Sequence, residues 1–388
     1  MYNLSDEQRI ILGTVRKFMT EEVAPLSRMM DESQELRSDI IQKCADLGLF
    51  SLIVPEDYSG MGVDLSTYCL IIEEISKVDA SVGVTVQCSG TGLRPIILAG
   101  DASIRSRILP NVVRDKSLFA FAITEPEAGS DAAAIATRAI ATKDKYVLNG
   151  RKCFITNGGI GDYYLVFAST APAKRIAGMS AFVIKADSAG LEIGKREDKM
   201  GLRASPTTDL IFEDMEVPVE NRVGPENDGF KLLMRTLDAT RPTIAAQALG
   251  IAEGALSYAC EYAGKRKQFG KSIGQFQGVQ FMLSDMATQV EAARALLYSC
   301  TKLYDQNHPN ISPLSSMAKL YASDVAMKVT TDAVQILGGY GYMKDHPLER
   351  MMRDAKITQI YEGTNQIQRV VIAKSIEKRG YPFSDFKR

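Results

Sequence analysis

The stretch IYEGTNQIQ, Ile360 to Gln368, sets one carboxylate, Glu362, directly before a glycine and a helix start. A loop side chain held between two packed helices can be aimed at a fixed point. A carboxylate so placed could accept or donate a proton. Taken alone, Glu362 reads as a solvated loop residue. The chain, however, has only two histidines, His308 in a DQNHPN turn and His346 before Pro347. Chemistry relying on a histidine cluster is therefore disfavoured, and acid–base work falls to carboxylates.

Other segments offer contacts for a ligand, each beside a plainer reading. FAITEPEAGSD, Phe121 to Asp131, leaves a strand for a loop of small and polar residues. Thr124, Ser130 and nearby backbone N–H groups suit a heterocycle or phosphate, and Ala128 and Gly129 permit close approach; the plainer reading is a strand-exit turn. In CFITNG, Cys153 to Gly158, Phe154 could cover a flat ring and Thr156 could donate to a ring nitrogen, or both could be ordinary strand residues. KRKQFGK, Lys265 to Lys271, gathers four cations. Arg266 could fork onto a diphosphate, although basic runs at helix ends are usually solvated. LDATR places Asp238 and Arg241 at i, i+3, the spacing of a surface helical ion pair. QILGG, Gln335 to Gly339, is a helix end that either admits a ligand or merely stops the helix. GMGVDL, GTGLRP and GIGDYY all lack the last glycine of GxGxxG, which disfavours a Rossmann site. Walker A, HExxH and GxSxG patterns are absent from the sequence.

These residues need a scaffold. With 388 residues, two or three domains are expected. Hydrophobic content of 45% and charged content of 24% are those of a globular protein, and a net charge of −1 gives no bulk drive toward nucleic acid or anionic membrane. No run approaches the ~18 apolar residues of a spanning helix. MYNLSDEQRI reads as neither a secretory signal nor a transit peptide; a cytoplasmic protein is expected, with a mitochondrial matrix protein the weaker alternative. The six cysteines are scattered without a CxxC pair, so buried reduced thiols are expected rather than disulfides or a metal site.

Three regions emerge: helices over residues 1–116, strands over 117–228 and helices over 229–388. Ser5 to Gln8 is a capping box. Ser38 opens a second helix and Ser66 caps a third. The glycines of VQCSGTGLRP open space or permit an unusual backbone. LFAFAIT, YYLVFAST, SAFVIKA and TDLIFEDMEV read as strands, and Asn149-Gly150 as the turn of a β-hairpin. A stripe from Val279 through Met286, Val290 and Leu297 to Tyr304 predicts a long bundle helix. A further helix runs from about Pro313 to Leu337 and stops at Gly338-Gly339. Asn365 with Gln368 resembles the capping box of a last helix whose Ile367, Val370 and Val371 face inward.

Taken together and in order, the blocks VPEDYSGMG, TEPEAGSD, FITNG, RKQFG, QILGGYGY, RDAKI and YEGTNQIQ resemble the acyl-CoA dehydrogenase family, in particular its bacterial short-chain, butyryl-CoA type. The resemblance spans essentially the whole chain. It implies an N-terminal helical domain, a middle β-barrel-like domain and a C-terminal four-helix bundle. It further implies non-covalent FAD, a homotetramer and electron-transferring flavoprotein as acceptor. Phe121, Ala122, Ile123, Thr124, Gly129, Ser130, Phe154, Ile155 and Thr156 would line the flavin. Arg266, Gln268, Phe276, Gln277, Gln335, Gly338 and Gly339 would hold the FAD of a neighbouring subunit, with Thr364 and Gln366 completing the cofactor site. Ser130, Asp238, Arg241, Tyr361 and Gly363 would meet acyl-CoA. Glu362 would take the α-proton while the β-hydrogen leaves as hydride to flavin N5.

Two departures from the family pattern stand out. Phe154 occupies a place where many relatives have Trp, and Thr240 stands where some relatives carry the base on an earlier helix. Ser89 to Gly92 fall where relatives line the acyl pocket, so their small size predicts room for a short, branched or alicyclic acyl group. A same-fold oxidase or monooxygenase using oxygen is the alternative, and a non-enzymatic helical binding module a further one.

Overall fold

The computed structural model describes residues 4–381. It opens with α1 (Asp6–Phe18), α2 (Ser27–Ser33), α3 (Ser38–Asp46), α4 (Leu65–Ser76), α5 (Ala80–Ala99) and α6 (Ala102–Arg114). The capping box forms: Ser5 Oγ accepts from Gln8 N, and the Gln8 side chain accepts from Ser5 N. The cap of α4 is Asp64, which accepts from Thr67 N at 2.7 Å, and not Ser66. Ser66 lies inside the first turn and donates to Asp305, whose carboxylate also takes the Leu65 and Ser66 N–H groups. Two carboxylates thus share one helix N-terminus, where free N–H groups favour negative charge.

VQCSGTGLRP forms the interior of α5. Its glycines make room for protein, not for ligand. A Cβ on Gly90 would lie 2.7 Å from Tyr68 Cζ, and one on Gly92 would lie 2.9 Å from both Ala120 O and Phe119 Cβ. Ser89 donates to Phe50 O. The expectation that this small-residue run widens a pocket fails at these three positions, because neighbouring groups already fill the space.

The strands are β1 (Phe119–Ala122), β2 (Arg138–Ala141), β3 (Lys145–Thr156), β4 (Tyr163–Ser169), β5 (Met179–Lys185), β6 (Leu191–Arg196), β7 (Thr207–Pro218) and β8 (Arg222–Val223). They form one sheet in the order β6-β7-β3-β2-β4-β5-β8, with β1 added parallel to β4. Asn149-Gly150 is not a hairpin turn. β3 runs straight through it, pairing with β7 from Lys145↔Pro218 to Thr156↔Thr207, and a register shift between Leu148 and Gly150 absorbs the irregularity. Gly150 takes φ +152°, and Asn149 exchanges two hydrogen bonds with Asp214. Long-range strand pairing overrides the local turn signal and leaves a bulge.

Alternation along β4 divides two cores. Tyr163, Leu165 and Phe167 pack toward the helices, whereas Tyr164, Val166 and Ala168 join Ala120, Ala122, Leu148 and Phe182 in a separate core of the sheet.

The chain then returns to helix: α7 (Gly229–Lys265), α8 (Gln277–Asp305), α9 (Ile311–Leu337), α10 (Leu348–Ile357) and α11 (Asn365–Arg379). A small hairpin, β9 (Lys267–Gln268) with β10 (Lys271–Ser272), separates α7 from α8. α7 packs on α4, α5, α8 and α9, and α11 lies on α9. The α8 stripe is buried at Met286, Val290, Ala293, Leu297 and Cys300. Pro242 inside α7 has no N–H for the carbonyl of Asp238; the Ser315 hydroxyl supplies the donor at 2.7 Å.

The last helix is capped by Thr364, not Asn365: the Thr364 hydroxyl accepts from Ile367 N at 3.2 Å. Val370 is exposed, contrary to expectation, while Ile367 and Val371 face a cavity. All six cysteines are free thiols and five are buried. Among the described residues no helix is long and apolar enough to cross a membrane, and no group of three His, Cys, Asp or Glu could hold a metal ion.

Candidate active site

Between α10 and α11 the backbone turns left-handed at two consecutive residues, Glu362 (φ +55°) and Gly363 (φ +90°). Such a conformation is uncommon for Glu and persists only where the surroundings impose it. They do so here. Gln368 Nε2 donates to Glu362 O at 3.3 Å and to Gly363 O at 2.7 Å. Lys319 Nζ donates to Gly363 O at 2.9 Å, and Asn365 N donates to Gln359 O at 2.9 Å. The neighbouring Tyr361 hydroxyl donates to Gln247 Oε1. The Glu362 carboxylate accepts from Thr240 Oγ1 at 2.6 Å. Burial raises the carboxyl pKa above the ordinary Glu value; the Thr240 hydrogen bond, Arg241 and Lys319 oppose that rise.

Glu362 lines a cavity of about 400 Å³. Helix α5 contributes Val84, Gln87, Cys88 and Thr91, at i, i+3, i+4, i+7. Helix α7 contributes Phe230, Leu233, Met234, Leu237 and Arg241, one continuous stripe. The sheet and its loops supply Phe121, Ile123, Thr124, Gly129, Ser130, Phe154, Ile155 and Thr156. Tyr361 and Gly363 flank the carboxylate. Twelve expected site residues therefore meet around one space.

Others do not. Ala122 points into the sheet's own core, as strand alternation from Phe121 and Ile123 requires. Asp238 does not line the cavity; burial raises its pKa while Ser312 and Arg241 oppose. Arg241, expected on a surface face, is 4% exposed, with Nη1 3.7 Å from Asp238 Oδ1 and 3.3 Å from Ser316 Oγ. Thr364 and Gln366 do not line the cavity either; Thr364 serves as the helix cap and Gln366 is exposed. Gln335 and Gly338-Gly339 end α9, and Phe276 with Gln277 begins α8. Gln268 lies exposed on the β9–β10 hairpin. The Arg266 guanidinium sits 5.2 Å over the Tyr340 ring, just past Gly339, and the two share a surface cleft with Tyr258 and His346.

A second cavity, of about 350 Å³, shares Val84, Phe154, Thr156 and Tyr361 with the first. Phe154 stands between them at φ +59° with 64% of its surface exposed. An aromatic ring held out of the core beside a hydroxyl-bearing strand fits a planar heterocycle better than it fits packing alone.

Family models for the acyl-CoA dehydrogenase N-terminal, middle and C-terminal domains match residues 5–116, 120–215 and 227–377. The chain belongs to the acyl-CoA dehydrogenase family. It is accordingly an oxidoreductase acting on CH–CH bonds with FAD as cofactor. It is 48% identical to an acyl-CoA dehydrogenase of Bacillus subtilis, over 96% of this chain and 98% of that one. A cyclohex-1-ene-1-carbonyl-CoA dehydrogenase of Syntrophus aciditrophicus is 47% identical, over 97% and 91%. Among solved structures, the butyryl-CoA dehydrogenase of Megasphaera elsdenii superposes with TM-score 0.94 at 43% identity, covering 97% of this chain and 100% of that chain. A chain from work on the electron transferring flavoprotein of Acidaminococcus fermentans also gives 0.94, at 47% identity, covering 97% and 99%.

Three features of this dehydrogenase's site escape motif reading. Thr240 holds the Glu362 carboxylate directly. Lys319, fully buried, lies behind the Glu362 turn. The third is a buried ion pair, Lys152 Nζ to Glu125 Oε1 at 2.6 Å, which braces the TEPEAGSD loop; Glu125 also accepts from Ala136 N and Thr137 N. The α5 stripe was available as a 3–4 spacing in the sequence; the Thr240, Lys319 and Lys152 side-chain contacts join residues more than 25 positions apart.

Proposed function

We propose that this enzyme catalyses 2,3-dehydrogenation of a short, branched or alicyclic acyl-CoA in the bacterial cytoplasm, with Glu362 accepting the α-proton. The observation that carries this reading is the carboxylate itself: Glu362 faces a largely apolar cavity, desolvated enough to bind protons more tightly than free Glu. An α-thioester proton is weakly acidic, so a base of raised pKa suits it. Thr240 orients the carboxylate through Oε2. Leu233, Met234 and Leu237 of α7, with Val84 of α5, keep water from the reacting carbons. Phe154 and Thr156 would hold the flavin ring. Bound FAD supplies the acceptor for the β-hydrogen. Arg266, Gln268 and the Gln335–Gly339 helix end would serve the FAD of a neighbouring subunit in a homotetramer, a role suited to the exposed hairpin, whose tip Phe269 is 92% exposed. Electron-transferring flavoprotein is the proposed acceptor, and the names of the relatives above favour butyryl or alicyclic substrates.

The test starts from the purified yellow protein and a panel of butyryl-, isobutyryl- and cyclohexanecarboxyl-CoA. Bleaching of the flavin by at least one is expected. Glu362→Gln should still bind that acyl-CoA yet lose flavin reduction by about 10²-fold or more. A colourless protein, a panel that leaves the flavin oxidised, or an active Glu362→Gln variant would each overturn the reading. Peroxide release during turnover would point instead to an oxidase.

A further inference from the structure

Lys319 is the buried cation that the chemistry above leaves without a task. It is 0% exposed, in the N-terminal third of α9. Among the described residues no carboxylate lies within salt-bridge distance of it; its Nζ donates to two neutral oxygens, Gly363 O at 2.9 Å and Asn365 Oδ1 at 2.9 Å. Burying an amine without a carboxylate is costly, and a methionine would fill the same volume. The next turn of α9 continues the same attachment. Ser323 Oγ exchanges hydrogen bonds with the Asn365 amide, while Asp324 takes Gln359 Nε2 at 2.6 Å, Asn365 Nδ2 at 2.8 Å and Arg369 Nη2 at 3.3 Å. One face of α9 therefore grips both ends of the segment that carries Glu362.

We infer that Lys319 is a positioning residue for Glu362: its side-chain amine anchors the Gly363 carbonyl and Asn365 so that the left-handed Glu362–Gly363 turn presents the carboxylate to the cavity. The inference rests on Glu362 being the base. The charged groups facing Lys319 are Glu362 from the loop, Arg241 from α7 and Asp324 from its own helix. Burial pushes the Lys319 amine down to about 7, against the pull of Glu362 and with the repulsion of Arg241. Lys319 in turn lowers the Glu362 pKa.

The test compares wild type with Lys319→Met, which keeps the volume but loses donor and charge, and Lys319→Gln, which keeps a donor without charge. Each is measured as holoenzyme for flavin content, acyl-CoA affinity, limiting rate of flavin reduction against pH, and amide hydrogen exchange over residues 359–368. Lys319→Met should keep its flavin and bind acyl-CoA within about threefold of wild type, yet reduce flavin about 10- to 100-fold more slowly. Its rising pH limb should move to higher pH, because a charge favouring ionised Glu362 has gone. The Gly363–Gln368 amides should exchange faster. Lys319→Gln should regain part of the rate and protection but not the position of the limb. An unchanged rate and limb in Lys319→Met overturns the inference, and so does a slower rate with limb and exchange unmoved, the mark of a mere space-filler. Loss of flavin from both variants overturns it as well, since the clamp lies behind the turn and not in cofactor retention. If Glu362→Gln still reduces flavin, the base assignment itself fails; if it is inactive while Lys319→Met behaves as wild type, only the positioning role falls.

Discussion

Gly90→Ala separates two accounts of the small-residue run in α5. If Gly90 made room for the acyl group, alanine would narrow the pocket and leave stability intact. The packing argues otherwise. The added Cβ would sit 2.7 Å from Tyr68 Cζ and closer still to its hydroxyl. Tyr68 has little freedom to withdraw, being 2% exposed and donating to Val86 O at 3.1 Å. Overpacking of this kind costs about 1–3 kcal/mol, and a pinned ring belongs at the upper end. Alanine in a helix interior returns about 1 kcal/mol relative to glycine. The net loss is about 2 kcal/mol, or roughly 4–8 °C in Tm for a unit of 150–250 residues. Tyr68→Phe removes the nearest atom and a hydrogen bond worth about 1 kcal/mol; the double variant should fall short of the summed losses by about 1 kcal/mol. Thermal unfolding followed by circular dichroism, with kcat/KM for butyryl- and cyclohexanecarboxyl-CoA on the same preparations, decides the matter. A Tm within about 1 °C of wild type, combined with a tenfold change in the substrate ratio of the size one methylene can produce, would refute the packing account.

Two further expectations concern buried charge. Lys152→Met leaves Glu125 buried with only its backbone donors; a loss of about 3–5 kcal/mol is expected, together with weaker flavin retention, read by unfolding and by the absorbance ratio of the purified variant, and a stable, fully yellow variant would show that the pair is dispensable. Asp354 is buried and accepts from Leu202 N at 2.7 Å; burial raises its carboxyl from 3.8 to about 7, with Arg350 opposing. The unfolded chain thus releases that proton at lower pH than the folded one, so this group's contribution to stability is full below about 3.8 and is lost as pH rises to about 7. Asp354→Asn keeps the acceptor and cannot ionise, so its Tm relative to wild type should climb between pH 5 and 8; a difference independent of pH would contradict the assignment.

The order helices, strands, helices was legible because one-sided burial imposes period 3.6 on a helix such as α8, whereas a strand buried on both faces, such as β4, shows as a short continuous apolar run. The errors share a cause. Asn149-Gly150 carries a strong local turn signal, yet β7 claims both of its flanks. The glycines of α5 looked like space or strain because Tyr68 and Phe119, which occupy that space, are not adjacent in sequence. Ser66 and Asn365 were plausible caps, each one or two residues from the group that performs the task. For the site, family motifs led to the cavity wall, but spacing could not reveal that Thr240 touches Glu362 or that Lys319 stands behind it: those contacts span 122 and 44 positions. Ala122 shows the finer limit, since a motif names a run of residues whereas a strand turns alternate ones away.

The position of Glu362 late in the chain bears on how the enzyme matures. A ribosome delivers α5, the sheet and α7 first, and N-terminal units fold first during synthesis. The walls of the cavity can thus assemble while the carboxylate that lines it is still unsynthesised. Only when α10 and α11 dock on α9 does the Glu362 turn close, with Lys319 and Asp324 already waiting in that helix to receive it. A nascent chain that has emerged only as far as α9 would therefore carry the elements of the cavity wall without the Glu362 turn.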